Sequence, residues 1–326
     1  MMLMIIVILA VVGLCLGSFV NALVWRVREQ AKITQKAAKK GRHAEFISAP
    51  IRATVQSIIN STAWVLKRVQ DDSGKGSTVA PVQHDKKNDL SILRGRSMCP
   101  HCRHELAAKD LVPLFSWLSL RGKCRYCGKP ISRQYPLVEA ATALLFITSY
   151  IWWPVDVSGS QVAVFILWLL LLTGLIALLV YDMRWFLLPN KILYPLGAIA
   201  VAQALIVIIA ADNPFTTILN MIAGVAVGGG LFYALFQISK GKWIGGGDVK
   251  LGWLLGLIAA TPGRSVLFIF LASLLGTLAS LPLMRSKRLN RHSLIPFGPF
   301  LIIGLIIVQL FGGDILHWYQ HAFVNY

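Results

Sequence analysis

The chain has 326 residues, of which 56% are hydrophobic and only 14% are charged, and its mean hydropathy is +0.64. Soluble globular chains carry about 25% charged residues, so the composition excludes an ordinary soluble domain and indicates a membrane protein. The formal net charge of +18 would also suit nucleic-acid binding, but the sorting of basic residues across the membrane, described below, accounts for it. We therefore expect membrane lipids as partners and no nucleic acid.

Long apolar runs recur along the chain. A run of about 20 residues crosses a hydrocarbon core of about 30 Å as a helix, and helices are expected there because lipid offers the backbone no hydrogen bonds. We therefore predict an all-α polytopic membrane protein with about eight transmembrane helices. The predicted helices are 2–25, 136–153, 161–181, 191–211, 216–238, 249–261, 264–284 and 294–312.

The basic residues predict how these helices are oriented. No base precedes the first apolar run, whereas Arg26 and Arg28 follow it, which favours a retained first helix over a cleaved signal peptide. If residue 1 lies outside, 31 of the 32 Lys and Arg residues fall in cytoplasmic segments, and only Arg264 is left on the far side. Those segments are 26–135, 182–191, 239–250 and 285–293. The positive-inside rule thus predicts that the N-terminus lies outside and that these segments face the cytoplasm.

This topology divides the chain into three parts. They are a first transmembrane helix (1–25), a cytoplasmic domain inserted after it (26–135) and a seven-helix membrane domain (136–326). Within the cytoplasmic domain, 28–95 is polar and is interpreted as a variable insertion, in which Ile51 to Val69 could form a helix.

Four cysteines lie in the later part of the cytoplasmic domain, as Cys99-Pro-His-Cys102 and Cys124-Arg-Tyr-Cys127. Two residues between the members of each pair let one tight turn direct both thiolates at a single ion, and two such turns complete a tetrahedral site. The alternatives are two disulfides or free thiols, and disulfides are disfavoured on the reducing cytoplasmic face. We therefore predict a structural zinc ion bound by all four cysteines.

Three of the 14 acidic residues fall near the cytoplasmic ends of predicted helices: Glu139, Asp182 and Asp248. Ionisable groups in such places are costly to insert and therefore suggest function. Two carboxylates at one membrane depth can share a proton, so that the ionised one activates water and the protonated one polarises a peptide carbonyl. Asp182 and Asp248 are thus a candidate pair for metal-free peptide hydrolysis, and Gly245-Gly246-Gly247 would let a substrate backbone approach Asp248 closely.

Sequence spacing does not show that the two aspartates meet, and simpler interpretations remain. Asp182 could pair with Arg184, and Asp248 could pair with Lys250 or cap its own helix. Other catalytic patterns are missing from the sequence. The glycines lack the Gly-Lys-Ser/Thr of a Walker loop, and there is no Gly-x-Ser-x-Gly or His-Glu-x-x-His motif.

Five ordered motifs carry a resemblance to a known family. They are Gly17-Ser18-Phe19-Val20-Asn21 with Arg26, the segment from Cys99 to Glu139, the segment from Asp182 to Asn190, the segment from Gly245 to Leu251, and Ile295-Pro-Phe-Gly-Pro-Phe300. Together they are similar to those of the type IV prepilin peptidases, aspartyl membrane proteases that share a Gly-x-Gly-Asp signature. The resemblance covers nearly the whole chain except about 28–95.

The resemblance implies that Asp182 and Asp248 are the catalytic pair of a peptidase. Such enzymes remove the leader of type IV prepilins or type II secretion pseudopilins at the cytoplasmic face of the inner membrane. Many also methylate the new N-terminal residue with S-adenosylmethionine, and members that keep the four cysteines generally carry both activities.

Within this resemblance Glu139 is a candidate partner for the substrate amine, unless it only pairs with Arg133 or another loop base. A leader peptidase without methylase activity is one alternative function. A membrane transporter or zinc-stabilised scaffold is the alternative from another class.

Two features depart from the family pattern. Asn190 stands where the family often has Asp after Leu-Pro, and we expect it to keep the role of capping the following helix. The stretch between Arg26 and Cys99 is longer than the usual connection, which an exposed loop is expected to tolerate.

Overall fold

A computed structural model describes residues 2–45, 97–285 and 296–323 of the chain. Within those residues the protein is all-α, as predicted, with two isolated β-bridges and no β-strand. The helices are α1 (Met2–Glu45), α2 (Phe115–Ser119), α3 (Gln134–Ile151), α4 (Ser160–Trp185), α5 (Asn190–Ile209), α6 (Pro214–Ser239), α7 (Gly246–Ala259), α8 (Pro262–Arg285) and α9 (Gly298–Phe323), and a single 3-10 turn covers Ala108–Asp110.

Each of the eight predicted helices corresponds to a helix of the structure. Six helices in the described part of the chain are long and apolar enough to cross a membrane: α1, α4, α5, α6, α8 and α9. Of the other two, α3 has 18 residues but opens with polar ones, and α7 has only 14. At a rise of about 1.5 Å per residue α7 is about 21 Å long, which is shorter than a hydrocarbon core. The prediction of eight spans is therefore approximate.

The two terminal helices are longer than their sequences suggest. α1 is predicted to end at residue 25 but continues to Glu45, because 30–40 is rich in alanine, lysine and glutamine, which favour helix. α9 continues to Phe323, since Gly312 and Gly313 do not interrupt it. The possible helix from Ile51 to Val69 lies outside the described residues.

The chain divides into two compact units. One comprises Met1–Val24 together with Met98–Tyr326, and the other comprises Trp25–Ser97. Helices α2 to α9, the part of α1 up to Val24 and the four cysteines all belong to the first unit.

α4 and α7 form the centre of the first unit. α4 is apolar on all sides, as expected of a helix surrounded by lipid or by other helices, and Trp168, Leu171 and Leu175 are fully buried on it. α7 packs against α5, α6, α8 and α9, and α9 also packs against α4. The helices that carry Asp182 and Asp248 are therefore held in the interior by the same neighbours.

Glycines on both helices set the close crossing of α6 and α7. Gly224 and Gly228 of α6 face Gly252 and Gly256 of α7. A Cβ at Gly228 would lie 2.8 Å from the α-carbon of Gly256, and a Cβ at Gly252 would lie 2.7 Å from the carbonyl oxygen of Gly228. Small residues four apart let two membrane helices pack backbone to backbone. This crossing fixes α7, and with it the position of Asp248 at its start.

A second close crossing joins α1 to α3. A Cβ at Gly13 would lie 2.6 Å from the α-carbon of Ala143, and a Cβ at Gly17 would lie 2.6 Å from the α-carbon of Glu139. Both pairs are four residues apart, so the two helices run in contact over at least one turn. The crossing places Glu139 in the seam between them.

Candidate active site and metal centre

Asp182 lies in the last turn of α4 and is buried. The helix ends here because Phe186 adopts a left-handed conformation with φ 54°, and its N–H donates to the carbonyl oxygen of Asp182 at 2.9 Å. The carboxyl group lies against Gly298, the first residue of α9, where a Cβ would be 2.6 Å from Oδ2 of Asp182. Gly298 therefore leaves the space that this carboxyl group occupies.

Asp248 is the third residue of α7 and is half-buried. The helix begins after Gly245, which has an extended backbone, and the N–H of Gly245 lies within hydrogen-bonding reach of the Asp248 carboxylate. An acidic side chain in the first turn satisfies a free backbone donor and favours the helix dipole. The N-cap residue of α7 is Gly245 and not Asp248, so Asp248 contributes to the start of the helix from within its first turn.

The two aspartates come together although they are far apart in the sequence. Their carboxyl groups are close enough to interact electrostatically. The loops that carry them are also in contact, because a Cβ at Gly247 would lie 3.3 Å from the Cβ of Leu188. The segment that follows Asp182 therefore packs on the glycine turn that precedes Asp248. The two carboxyl groups therefore lie within electrostatic range of each other where these two loops meet.

The basic neighbours of the aspartates have other partners. The guanidinium of Arg184 lies over the Trp185 ring, 5.8 Å from its centroid. Lys250 donates from Nζ to Oδ1 of Asn190 at 3.1 Å and lies 5.9 Å from the centroid of the Tyr194 ring. Neither base forms an ion pair with Asp182 or Asp248 in the described part of the chain. Neither carboxylate is therefore neutralised by the basic residue that lies two positions after it in the sequence.

Asn190 does not have the role expected from the sequence. α5 is preceded by Pro189 as its N-cap residue, with no side-chain cap, and Asn190 is already the first residue of the helix. Its amide oxygen accepts the hydrogen bond from Lys250 instead. Asn190 thus ties the start of α5 to the start of α7.

The four cysteines of the two pairs converge on one point. Their Sγ atoms all lie within 4.8 Å of one another, and those of Cys99 and Cys127 are 4.0 Å apart, with no disulfide formed. A tetrahedral ion with metal–sulfur bonds of about 2.3 Å would separate its sulfurs by about 3.8 Å. The spacing of the four thiols is therefore one that could hold a metal ion.

Two similar turns present these thiols. Arg103 N–H donates to the carbonyl oxygen of Cys99, and Gly128 N–H donates to that of Cys124, each at 2.9 Å. The donor residue has a left-handed backbone in both turns, with φ 59° at Arg103 and 67° at Gly128. The two turns are thus equivalent, although only the second has glycine at the strained position.

The thiols differ in how readily they ionise. Burial raises the pKa of the Cys99 thiol to about 11. Burial acts in the same direction on Cys124, but hydrogen bonds from the backbone of Cys127 and Tyr126 outweigh it and lower the pKa to about 7. Because a metal binds thiolates, loading of this centre must release protons.

Polar contacts brace the second turn. Asp110 accepts hydrogen bonds from Nε of Arg125 at 2.7 Å and from the hydroxyl of Tyr126 at 3.0 Å. Although burial would raise the pKa of Asp110, these two hydrogen bonds outweigh it and hold the pKa below its usual value. Tyr126 also stacks on His104, with ring centroids 3.8 Å apart. The Ala108–Asp110 turn is thereby joined to both cysteine pairs.

Glu139 links the cysteine-containing segment to the membrane helices. Its carboxylate accepts a hydrogen bond from the backbone N–H of Leu114 at 2.8 Å, and the Ser18 hydroxyl of α1 lies within hydrogen-bonding reach of it. Leu114 has a positive φ of 60°, which is rare for a residue with a side chain, so this bond holds a strained residue in place. A pairing with Arg133, which the sequence left open, is not formed in the described residues.

The metal centre and Asp182 lie at the same end of the helices. Tyr135, in the first turn of α3, is close enough to interact electrostatically with both Arg184 and Cys99. Its carbonyl oxygen accepts a hydrogen bond from Nδ2 of Asn21 at 3.1 Å, which joins α1 to α3 at this end. The sequence alone did not predict the contact of Asn21 with Tyr135 or that of Gly298 with Asp182. All four residues nevertheless belong to the motifs quoted above.

Comparison with known proteins agrees with this arrangement. Residues 11–153 match the bacterial peptidase A24 N-terminal domain, and residues 169–281 match the type IV leader peptidase family. A prepilin leader peptidase/N-methyltransferase from Bacillus subtilis is 32% identical over 231 residues, which is 71% of this chain and 87% of the relative. The chain belongs to the type IV leader peptidase family.

Other members of the type IV leader peptidase family match over similar lengths. The prepilin leader peptidase/N-methyltransferase of Aeromonas hydrophila is 33% identical, covering 72% of this chain and 78% of the relative. That of Pseudomonas aeruginosa is 33% identical with the same coverage. No solved structure gives a significant match.

Proposed function

We propose that this chain removes the leader peptide of type IV prepilins or type II secretion pseudopilins by hydrolysis at Asp182 and Asp248. The observation that carries the proposal is the convergence of these two carboxyl groups at the contact between the Leu188 loop and the glycine turn. The relatives named as prepilin leader peptidases support the substrate class.

In the proposed reaction the two carboxyl groups share one proton. The ionised carboxylate takes a proton from water, whose oxygen attacks the carbonyl carbon of the scissile peptide bond. The protonated carboxyl group hydrogen-bonds to the carbonyl oxygen as negative charge develops on it. As the carbon–nitrogen bond breaks, the departing amine accepts the proton that the carboxylate took from water, and the pair again holds one proton. Gly245-Gly246-Gly247 leaves room for the substrate backbone beside Asp248.

The proposal is tested by replacing each aspartate and co-expressing a prepilin. Asp182→Asn and Asp248→Asn should each abolish leader removal, because an amide neither accepts the proton from water nor shares one with its partner. Asp212→Asn, in the exposed turn between α5 and α6, is the matched control and should cleave at the wild-type rate. Prepilin and mature pilin are separated by gel electrophoresis. Cleavage by both catalytic-site variants would reject the aspartate pair.

We propose that the four-cysteine centre holds zinc in a structural role. Four thiolates with tetrahedral spacing suit this ion and leave no open position for a catalytic water. Zinc would join the two equivalent turns and so hold the segment that contains Leu114 against Glu139.

We further propose that the chain methylates the new N-terminal residue, with S-adenosylmethionine supplying the methyl group when bound. The relatives named as N-methyltransferases support this activity. Glu139 is the proposed partner of the substrate amine. Oδ1 of Asn21 is a buried oxygen that accepts no hydrogen bond from the described residues, and it lies on the same seam of α1 and α3. The Glu139 carboxylate and Oδ1 of Asn21 are both hydrogen-bond acceptors, and the N–H groups of an amine need such acceptors.

Glu139→Gln separates the chemical role from the structural one. Glutamine keeps an oxygen that can accept the Leu114 N–H but lacks the charge. Leader removal should persist while mass spectrometry of the mature pilin shows loss of the methyl group. Full methylation in this variant would reject Glu139 as the amine partner. A wild-type chain that yields only unmethylated pilin would favour the alternative of a peptidase without methylase activity.

A transporter or zinc-stabilised scaffold is the alternative from another class, and it predicts that deletion of the gene leaves pilin length unchanged. The proposed location is the bacterial inner membrane, with the N-terminus outside and the aspartates facing the cytoplasm. In this arrangement 1–25 is the anchor, 26–135 is the cytoplasmic domain with 28–95 as a variable insertion, and 136–326 is the peptidase domain. The location of Asp182 and Cys99 at one end of the helices supports it.

A further inference from the structure

Four large apolar side chains project from the segment between the two cysteine pairs and remain uncovered. Phe115 and Leu118 of α2 are 70% and 63% exposed, and Leu111 and Val112 just before α2 are also exposed. We refer to these four residues as the 111–118 patch. A cluster of this kind is unusual on a surface that faces only water.

Another aromatic side chain of the same segment, Trp117, packs within the four-cysteine module. The Trp117 ring packs against Gly122, where a Cβ would lie 3.0 Å from the ring, and its Nε1 donates to the carbonyl oxygen of Ile131 at 3.3 Å. Trp117 is therefore half-buried within its own module, whereas the four side chains of the 111–118 patch are exposed.

The depth of the 111–118 patch relative to the membrane follows from its attachment to Glu139 of α3, which lies beside α1. Leu114, in the middle of the patch, is held by its N–H to the carboxylate of Glu139, which also meets Ser18 of α1. Ser18 lies within the first apolar run, and the next charged residue in the sequence is Arg26, about two helical turns later. The patch is therefore attached at the level of the apolar part of α1, and bulk cytoplasm is not the medium expected at that level.

Basic residues flank the patch on both sides in the sequence. Lys109 precedes it, Arg121 and Lys123 follow it, and all three are exposed. Apolar side chains bordered by lysine and arginine are typical of segments that lie at the boundary between acyl chains and anionic headgroups.

We propose that the 111–118 patch inserts into the cytoplasmic leaflet of the membrane, so that the four-cysteine module lies on the bilayer surface. The occupant of the patch is lipid: acyl chains contact Phe115 and Leu118, and anionic headgroups contact the flanking bases. The choice of leaflet rests on the proposed location of the protein, whereas insertion of the patch follows from its attachment to α1 and does not depend on the proposed activity.

The test places the photoreactive residue p-benzoylphenylalanine at Phe115 or at Leu118 of the full chain, one position at a time. The protein is reconstituted into nanodiscs of phosphatidylethanolamine and phosphatidylglycerol and irradiated, and adducts are identified by mass spectrometry. The matched control carries the same residue at His101, an exposed position in the turn between Cys99 and Cys102. Because both test positions are exposed, the substitution should not disturb folding, and bound metal content verifies this.

Phospholipid adducts at Phe115 and Leu118 should exceed those at His101 by tenfold or more. Equal lipid adducts at all three positions would overturn the proposal. It would also be overturned if the main adducts at Phe115 and Leu118 joined residues 46–96 of the same chain, a second copy of the chain, or a prepilin added before irradiation.

Discussion

The α-carbon of Gly298 lies directly against the carboxyl group of Asp182, where a Cβ would come within 2.6 Å of Oδ2. Gly298 opens α9, so the position of this helix determines the space in which the Asp182 carboxyl group sits. The Cβ would also lie 3.6 Å from Leu251 of α7, the helix that begins with Asp248. Because Gly298 has no side chain, it leaves room both for Asp182 of α4 and for α7, the helix that carries Asp248.

Replacement of this glycine should impair cleavage without preventing membrane insertion. Gly298→Ala would displace the Asp182 carboxyl group from its present position, and a displacement of about 1 Å at a reacting group costs roughly a hundredfold in rate. The rate of leader removal by purified protein measures the effect. Gly313→Ala on the same helix is the control, because its Cβ would meet nothing within 4 Å. Wild-type cleavage by Gly298→Ala would contradict the proposed importance of this contact.

The crossing of α6 and α7 should be equally intolerant of a methyl group. In Gly228→Ala the added Cβ would lie 2.8 Å from the α-carbon of Gly256, and overpacking of this kind destabilises a fold by about 1–3 kcal/mol. Thermal unfolding in detergent should show a lower midpoint. Gly230→Ala, two residues along α6, meets nothing within 4 Å and should be neutral or slightly stabilising. Equal midpoints for the two variants would argue against the backbone contact.

The two cysteine turns offer a reciprocal pair of substitutions. Arg103→Gly should stabilise the first turn by about 0.5–1 kcal/mol, because glycine adopts the left-handed conformation at φ 59° without strain. Gly128→Ala should destabilise the second turn by a similar amount, since φ there is 67° and alanine is strained. The rate of metal release to a chelator measures both. Changes of the same sign in the two variants would contradict the equivalence of the turns.

Metal binding at the cysteines should weaken as the pH falls. In the metal-free protein the Cys124 thiol has a pKa of about 7 and the Cys99 thiol one of about 11. Below pH 7 both thiols are protonated, so the metal must displace both protons. Above pH 7 Cys124 is already ionised, and only Cys99 of these two still competes until the pH approaches 11. Metal content after dialysis at a series of pH values should therefore decline as the pH drops below about 7.

Substitution of single cysteines provides the control for this titration. Cys124→Ser should abolish stable metal binding, whereas Cys15→Ser in α1, outside the cluster, should leave metal content unchanged. A metal content that is unaffected by Cys124→Ser would show that the ion binds elsewhere.

Much of the fold is evident in the chain itself. Apolar length predicts each helix that crosses the bilayer, because lipid leaves the backbone no other way to satisfy its hydrogen bonds. The Cys-x-x-Cys spacing predicts the convergence of four thiols, since each turn is a local structure. The positions of Asp182 and Asp248 at helix ends are also local features. The spacings Gly224-x-x-x-Gly228 and Gly252-x-x-x-Gly256 carry a signal for the helix crossing that sequence analysis did not use.

Relationships between distant segments required the tertiary structure. Only the folded structure shows that Glu139 accepts a hydrogen bond from Leu114 instead of pairing with Arg133. It also shows that Asn190 accepts one from Lys250 instead of capping α5. The fit of Gly298 against Asp182 depends on how α9 packs on α4. Helix formation and metal-ligand turns depend on neighbours along the chain, whereas these contacts depend on which helix faces lie together. The physical reason is that many packings satisfy the same apolar pattern, and only close contact between particular side chains selects one of them.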